Sequence, residues 1–204
     1  MKRCRVTISE PPRFRRYGRE VRAAMLIEAG LACLAEGGIA AFTVDGICRR
    51  AGTSRGLIAH HFGSKDQLLA EVYEAAYAPM LAAIAPRPDG TPLSLPELIA
   101  RIFAAERSTP QALNVWMALW GAMAGNPGLK DAHRRKYGEY RATVAAAIAI
   151  HRGTAEKADE LAASVIGLVD GLWLEQCIDP DGLPPAAARA ACLRMLDPLL
   201  GPVG

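Results

Sequence analysis

Residues 43–65 read T-V-D-G-I-C-R-R-A-G-T-S-R-G-L-I-A-H-H-F-G-S-K, a pattern that predicts two short helices joined by a tight turn. Thr43 can cap the first helix, because a threonine hydroxyl accepts the free amide hydrogens of a first turn. Gly52 can turn the chain without a Cβ clash, and Ser54 can cap the second helix. Two such helices at a steep angle form a helix-turn-helix, which can enter a DNA major groove. An ordinary helical hairpin with a solvated face is the alternative.

Charge is divided unevenly along the 204 residues. Residues 1–65 hold 12 Lys or Arg against 5 Asp or Glu, whereas the rest of the chain holds 12 against 16. A basic N-terminal part with a helix-turn-helix, followed by an acidic and apolar body, is typical of a DNA-binding domain joined to a second domain. A basic tail that is simply solvated is the alternative for residues 1–16. Hydrophobic residues make up 51% of the chain, which indicates a folded protein with a sizeable core.

The five cysteines are scattered and form no C-x-x-C pair, which argues against a disulfide framework and a zinc site. They are Cys4, Cys33, Cys48, Cys177 and Cys192. No secretory apolar segment follows the first basic residues, so a cytoplasmic protein is expected. No apolar run approaches the roughly 18–20 residues that cross a bilayer, so no membrane partner is expected.

Motifs of the common enzyme classes are missing from the sequence. There is no H-E-x-x-H, no Walker-type G-K-[ST] and no G-x-G-x-x-G. His133 and His151 fall on or near polar helix faces, where solvation is more common than catalysis. We therefore expect no catalytic residue, no cofactor and no bound metal.

Caps, glycines and prolines divide the chain into about nine helices, and no period-2 run calls for a strand. The predicted helices span about 19–36, 44–51, 54–62, 64–79, 94–107, 109–125, 129–150, 154–178 and 184–200. Pro79 should bend or end the fourth helix, and Thr154 should cap the eighth. An all-α protein is expected, with a basic arm at 1–18, a three-helix DNA-binding domain at 19–80 (its helix-turn-helix at 43–62) and a C-terminal ligand-binding and dimerisation domain at 81–204.

The chain resembles the TetR family of transcriptional repressors from about residue 20 to residue 80. The positions that match the family's helix-turn-helix in order and spacing are Thr43, Ile47, Ala51, Gly52, Ser54, Gly56, Phe62 and Lys65. In the C-terminal half, W-M-A-L-W at 116–120 and I-G-L-V-D-G-L-W-L-E at 166–175 are similar to the ligand domain of the BetI-like, betaine-regulator branch. The segments that fit the same branch nearer the N-terminus are Arg22, Leu26–Ala29, Leu31 and Arg49–Gly52.

The resemblance implies a homodimeric repressor that places two copies of the second motif helix in successive major grooves of a partly palindromic operator. We assign phosphate contacts to Thr43, Ser54, His60 and Lys65, and base contacts to Arg55, Thr53 and His61. Gly56 would allow close approach of the backbone to DNA. Family members often carry a tyrosine, whose hydroxyl can reach a phosphate, where this chain has Ala59, His60 and His61. His60 or His61 can donate a hydrogen bond to phosphate instead. The basic arm, with Arg3, Arg5, Arg13, Arg15 and Arg16, can follow the minor groove or the flanking phosphates.

Three tryptophans and one carboxylate mark a candidate ligand site in the C-terminal half. Trp116 and Trp120 lie four residues apart and so share one helix face, and Trp173 lies near Asp170 in another apolar helix. Indole faces with a nearby carboxylate can hold a choline-like ammonium, or another cationic or apolar metabolite, as the small-molecule effector. Simple core packing of the tryptophans is the alternative.

The last two predicted helices carry more apolar and alanine surface than one domain face needs, so they are expected to form the homodimer interface. Ligand binding would then change the spacing of the two DNA-binding heads and release the operator. The alternative within the same family resemblance is a DNA-binding protein without a small-molecule effector, its cavity filled by its own side chains.

Overall fold

The computed structural model describes residues 18–201, apart from the side chain of residue 105, and within this range it is all-helical, as predicted. Two short 3-10 turns, Ala105–Arg107 and Met123–Gly125, interrupt the α-helices. The nine α-helices of this range are α1 Arg19–Ala41, α2 Val44–Ala51, α3 Gly56–Phe62, α4 Lys65–Ile84, α5 Leu95–Ile102, α6 Pro110–Ala122, α7 Pro127–Arg152, α8 Ala158–Ile178 and α9 Pro185–Leu200. The predicted arm at 1–18, with its five arginines, lies outside the described residues except for residue 18.

Side-chain caps fix the start of four helices. In each case the side-chain oxygen accepts a hydrogen bond from the backbone N–H three residues further on, at 2.9–3.1 Å. The capping residues are Thr43 on α2, Ser64 on α4, Thr109 on α6 and Asn126 on α7. These bonds satisfy amides that a helix start leaves free, which is why the sequence locates these boundaries well.

Glycines end the helices of the helix-turn-helix. Gly52 closes α2 in the left-handed conformation at φ 61°, and the N–H of Thr53 bonds back to the carbonyl of Cys48 at 3.0 Å. Within α1, Gly37 and Gly38 leave helical geometry, and Gly38 has φ 60°. The predicted end of the first helix at this pair is therefore confirmed as a break, after which one further turn leads to Ala41.

Four predicted helix boundaries were wrong. Ser54 does not cap α3, which begins at Gly56 after Arg55 has already taken helical backbone angles. Of the predicted bend or end at Pro79, the end is wrong, since α4 continues to Ile84. The other two corrections concern α5, which ends at Ile102 rather than near residue 107, and α8, which starts at Ala158.

The late start of α8 has a clear local cause. Lys157 takes the left-handed conformation at φ 57°, which cannot continue a right-handed helix. The hydroxyl of Thr154 instead accepts the N–H of Glu156 at 3.2 Å and caps a turn before the helix. The early end of α5 likewise lets the chain turn so that the carbonyl of Arg107 accepts the indole N–H of Trp173 at 3.3 Å.

Two hydrophobic cores organise the molecule. The head core is built from α1–α4 and surrounds Phe42 and Tyr73, while the body core is built from α4, α5 and α7–α9. The head core is completed by four residues from beyond the predicted domain boundary: Ala118 and Leu119 of α6, and Leu129 and Ala132 of α7. Met80, Leu81 and Trp116 touch both cores, so the head and body share their packing.

By length and composition alone, α1 and α8 are the two helices of the described range that could cross a membrane. Their apolar composition has a second explanation in the fold. Leu26 and Leu34 of α1 and Val165 and Ile166 of α8 are fully buried against neighbouring helices, as core helices require.

Candidate functional site

The predicted DNA-contacting residues lie around the helix-turn-helix, at the starts of α2 and α4 and along α3. The exposed members of this set are Thr43, Ser54, Arg55, Gly56, His60 and Lys65. His61 is half-buried, and burial, followed by the charges of His60, Arg19 and Arg22, lowers its pKa. Thr53 is also half-buried, with its hydroxyl oxygen enclosed and without a hydrogen-bond partner among the described residues. Of the whole set, Thr53 is therefore the least well placed to reach a base edge.

Thr43 and Lys65 lie at the N-termini of α2 and α4, where backbone amides are free. The Thr43 hydroxyl accepts the N–H of Gly46 at 3.0 Å, which leaves its own hydrogen available to donate to a phosphate oxygen. Lys65 is the first residue of α4, directly after the capping Ser64. Both positions combine a side-chain donor with the partial positive charge of a helix start, which favours an anion.

Arg55 is held by a carboxylate that the sequence reading did not single out. Its Nε lies 2.6 Å from Oδ1 of Asp45, and its Nη2 donates to Oδ2 of Asp45 at 2.7 Å. This two-pronged contact uses the same guanidinium fork that would bind a guanine. Since 75% of the Arg55 side chain is exposed, the pair sits on the surface and can exchange for DNA. The signal in the sequence is an acidic residue in the first turn of α2, to which the sequence analysis gave no role.

A cavity of about 330 Å³ lies in the body, and all four predicted ligand residues line it. Tyr77 and Tyr140 complete its aromatic wall, which the sequence reading missed because both tyrosines fall on apolar helix stripes. The rings follow one another closely, with centroids 4.8 Å apart for Tyr77–Trp116, 6.0 Å for Trp116–Trp120 and 6.2 Å for Trp120–Trp173. The predicted residues brought together here are Trp116, Trp120, Asp170 and Trp173.

Asp170 is the charged centre of this wall. Within residues 18–201 no hydrogen-bond donor and no cation contacts its carboxylate, and burial raises its pKa to about 6. The Asp170 charge in turn contributes to the raised pKa values of Tyr77, Tyr137 and Tyr140, whose main cause is burial. A carboxylate that loses hydration without gaining a partner is costly, so the cavity favours a bound cation.

A second cavity of about 340 Å³ adjoins the first. Tyr77, Trp120 and Asp170 line both cavities, so the carboxylate lies where they meet. The remaining residues that line only the second cavity are His133, Tyr137, Gly171 and Leu174. It faces outward at Gly171, which is exposed.

Helix α6 joins the cavity to the DNA-binding head. Its residues Trp116 and Trp120 line the first cavity, while its Ala118 and Leu119 belong to the head core. In addition, the side-chain amide of Asn114 donates to the carbonyl of Ala35 in α1 at 2.9 Å. A displacement of α6 by a ligand in the cavity would therefore act directly on the position of α1.

A helix-turn-helix with an exposed, cation-bearing face, carried on a helical body with an aromatic cavity, defines a transcriptional regulator of the helix-turn-helix class. Two family profiles match the chain: "Bacterial regulatory proteins, tetR family" over residues 26–72 and "BetI-type transcriptional repressor, C-terminal" over residues 94–201. The chain belongs to the TetR family of bacterial transcriptional regulators, in its BetI-type branch.

Relatives agree with this assignment over most of the chain. The HTH-type transcriptional regulator BetI 2 of Chromohalobacter salexigens is 33% identical over 187 residues, which cover 88% of this chain and 89% of that one. BetI of Burkholderia mallei (strain NCTC 10229) is 29% identical over 188 residues, covering 90% and 96%. These relatives are named as regulators of transcription, which are not enzymes.

Solved structures share the fold. A putative transcriptional regulator from Pseudomonas aeruginosa PAO1 is 37% identical, with a TM-score of 0.77 over 92% of this chain and 94% of that one. A putative transcriptional regulator from Saccharomonospora viridis, solved in complex with choline, is 23% identical, with a TM-score of 0.66 over 88% and 97%. The choline belongs to that structure.

Proposed function

We propose that this TetR-family regulator is a repressor that binds a partly palindromic operator as a homodimer and leaves it when a small organic cation binds in the body. It would act in the cytoplasm, at nucleoid DNA. The observation that carries the proposal is the Asp170 carboxylate, which lies unpaired among aromatic rings in a cavity of ligand size.

A quaternary ammonium suits this cavity chemically. It carries a fixed charge and no N–H donor, so it gains little from hydrogen-bond acceptors and much from aromatic faces and a carboxylate. Trp116, Trp120 and Trp173 supply three indoles around Asp170. The choline seen in the Saccharomonospora viridis structure and the BetI-type profile support the same ligand class for this chain.

On the DNA side, α3 is the helix proposed to enter the major groove. Arg55 at its start would read a guanine, with His61 and Thr53 as weaker candidates, and exposed Gly56 lets the backbone approach. The proposed phosphate contacts are Thr43, Ser54, His60 and Lys65. Two heads related by twofold symmetry would then meet half-sites about one helical turn apart.

The proposed dimer forms through α8 and α9. Ile178, Met195 and Leu199 are large apolar residues with exposed fractions of 61%, 60% and 45%. Gly167 and Gly171 of α8 face open space, since a Cβ on either would meet nothing within 4 Å. A second copy can therefore pack closely against these helices and cover the apolar residues.

The proposal is tested by calorimetric titration of tetramethylammonium into the purified protein, with operator release measured in parallel. Asp170→Asn is expected to lower the affinity at least tenfold, because the neutral amide loses the charge interaction. Glu106→Gln is the matched control, since Glu106 lines the same cavity but is exposed. Absence of tetramethylammonium binding to the wild-type protein would contradict the proposal and favour a regulator without a small-molecule effector.

A further inference from the structure

The second cavity is larger than a bare ammonium group requires. The first cavity, at about 330 Å³, is already at the lower end of the range for ligand sites, roughly 300–1,000 Å³. The second adds a space of about 340 Å³ that opens from the same carboxylate. Because the two cavities share Tyr77, Trp120 and Asp170, they lie side by side at the same carboxylate.

The lining of the second cavity fits a flat, uncharged group. His133 and Tyr137 lie with ring centroids 5.1 Å apart and planes tilted by 35°, which forms an aromatic surface on α7. Burial lowers the pKa of His133, which favours its neutral ring at neutral pH. An aromatic ring stacked on this surface would gain contacts with both side chains.

Charge limits the ligand further. Among the described residues that line the second cavity, Asp170 is the one acidic side chain, and it also lines the first cavity. A second positive charge in the second cavity would therefore have no carboxylate of its own to contact, whereas the aromatic surface on α7 offers contacts to an uncharged ring. The arrangement suits a monocation and disfavours a dication.

We propose that the second cavity is a binding subsite for a neutral aromatic arm attached to the cation that Asp170 holds. This inference rests on the proposed function, since it presupposes the cation at Asp170. It specifies the effector class as an organic monocation with a flat arm.

The occupied subsite would add a contact with the head through His133, beyond that of Tyr77, a head-core residue that lines both cavities. His133 lines the second cavity, and its Nδ1 lies 2.7 Å from the hydroxyl of Tyr73, which is fully buried in the head core. An aromatic arm stacked on His133 therefore contacts the hydrogen-bond partner of Tyr73. A small cation in the first cavity does not need to reach His133.

The test compares two probes by calorimetry, tetramethylammonium and benzyltrimethylammonium, which share the cation and differ by the aromatic arm. The wild-type protein is expected to bind the benzyl compound at least tenfold more tightly. Gly171→Met fills the second cavity, because a Cβ at Gly171 meets nothing within 4 Å. This variant is expected to reduce the preference to below threefold, and because the preference is the ratio of the two affinities, a change common to both probes cancels.

Gly167→Met is the matched control. Gly167 lies one turn earlier on α8 and is equally open, but it lines neither cavity. It should keep the tenfold preference, so effects on helix α8 or on dimerisation cancel in the comparison. Tyr137→Leu is a second variant, which removes part of the stacking surface and should also reduce the preference.

Three results would overturn the inference. Equal affinities of the two probes for the wild-type protein would show that the second cavity adds nothing. A preference that survives in both Gly171→Met and Tyr137→Leu would place the arm elsewhere. If neither probe binds, the proposed function itself is wrong. If tetramethylammonium binds but the benzyl compound binds no more tightly, only the subsite for an aromatic arm is excluded.

Discussion

The hydroxyl of Tyr73 on α4 lies 2.7 Å from Nδ1 of His133 on α7, which ties the DNA-binding head to the body. Burial raises the pKa of Tyr73 and lowers that of His133, so the tyrosine stays protonated and the imidazole neutral near pH 7. The hydroxyl can then donate to Nδ1. Tyr73 is completely buried and belongs to the head core, whereas His133 lines the second cavity.

The Tyr73–His133 hydrogen bond should be measurable by a double-mutant cycle. We expect Tyr73→Phe and His133→Leu to be non-additive, with a coupling of about 1 kcal/mol in the free energy of unfolding at pH 8. Denaturant unfolding at one fixed protein concentration gives the four values. Because the folded-state pKa of His133 lies below its ordinary value of 6.5, its stabilising effect is present above about pH 6.5 and is lost as the pH falls below it. Additive effects at pH 8 would contradict this assignment.

Cation binding should depend on pH through Asp170. The carboxylate must be ionised to attract the cation, and its pKa is about 6, so the affinity for tetramethylammonium should rise as the pH increases through 6 and level off above 7. Tetramethylammonium keeps its charge at every pH, so the dependence reports on the protein. The other titratable groups that line the two cavities are Tyr77, Glu106, Arg107, His133, Tyr137 and Tyr140. Titrations from pH 5 to pH 8 test the prediction.

The Asp170→Asn variant provides the control for that pH profile. It should remove the rise near pH 6, whereas Glu106→Gln should keep it. Without ligand, the same variant should be more stable than the wild type at high pH. The folded-state pKa of Asp170 is raised, so its favourable contribution to folding is present below about pH 4 and is lost as the pH rises through 6. The higher free energy of unfolding of Asp170→Asn should therefore appear above pH 6. A stabilisation seen only at low pH would contradict the raised pKa of Asp170.

Arg55 should determine sequence preference at one operator position. Arg55→Ala is expected to weaken operator binding and to relax the preference at a single base pair by about 1–3 kcal/mol. Asp45→Asn keeps the arginine but removes the carboxylate that holds it, so this variant should bind the operator at least as tightly as the wild type. Selection from a random DNA pool, followed by affinity measurements, distinguishes the two. A uniform loss across all sequences would mean that Arg55 touches phosphate only.

Lys65 should contribute to affinity without contributing to specificity. Lys65→Ala is expected to weaken binding to all sequences alike and to lower the slope of log affinity against log salt by about 0.9. Lys157→Asn serves as the comparison, because it removes a lysine of the body while asparagine tolerates the left-handed backbone at that position. An unchanged salt slope in Lys65→Ala would exclude the phosphate contact.

Much of the fold could be predicted because its boundaries are set locally. The caps at Thr43, Ser64 and Thr109 act within three residues, and the glycine at 52 ends its helix through its own backbone. The missed end of α5, by contrast, depends on a distant contact. The early end of α5 accompanies the contact of Arg107 with Trp173, 66 residues away in sequence, which no local pattern reveals.

The candidate ligand site was only partly predictable for the same reason. Asp170 stood out as a carboxylate in an apolar run, and the tryptophans are conspicuous in any helix. Tyr77 and Tyr140, by contrast, follow the same apolar periodicity as core residues, and only the packing of α4 against α7 and of α7 against α8 decides whether they face a cavity. The role of His133 likewise depends on its partner 60 residues earlier.

The shared packing of the head has a consequence for how regulators of this type diversify. Leu119 and Leu129 are fully buried in the head core although they lie on α6 and α7. A chimaera joined after α4 would combine one parent's head with the other parent's residues at these positions and so leave misfitted side chains in the core. Recombination between relatives is therefore expected to preserve the head core only when the α6–α7 corner, residues 118–132, is transferred together with α1–α4. Operator preference and effector preference are inherited together unless that corner is compatible in both parents.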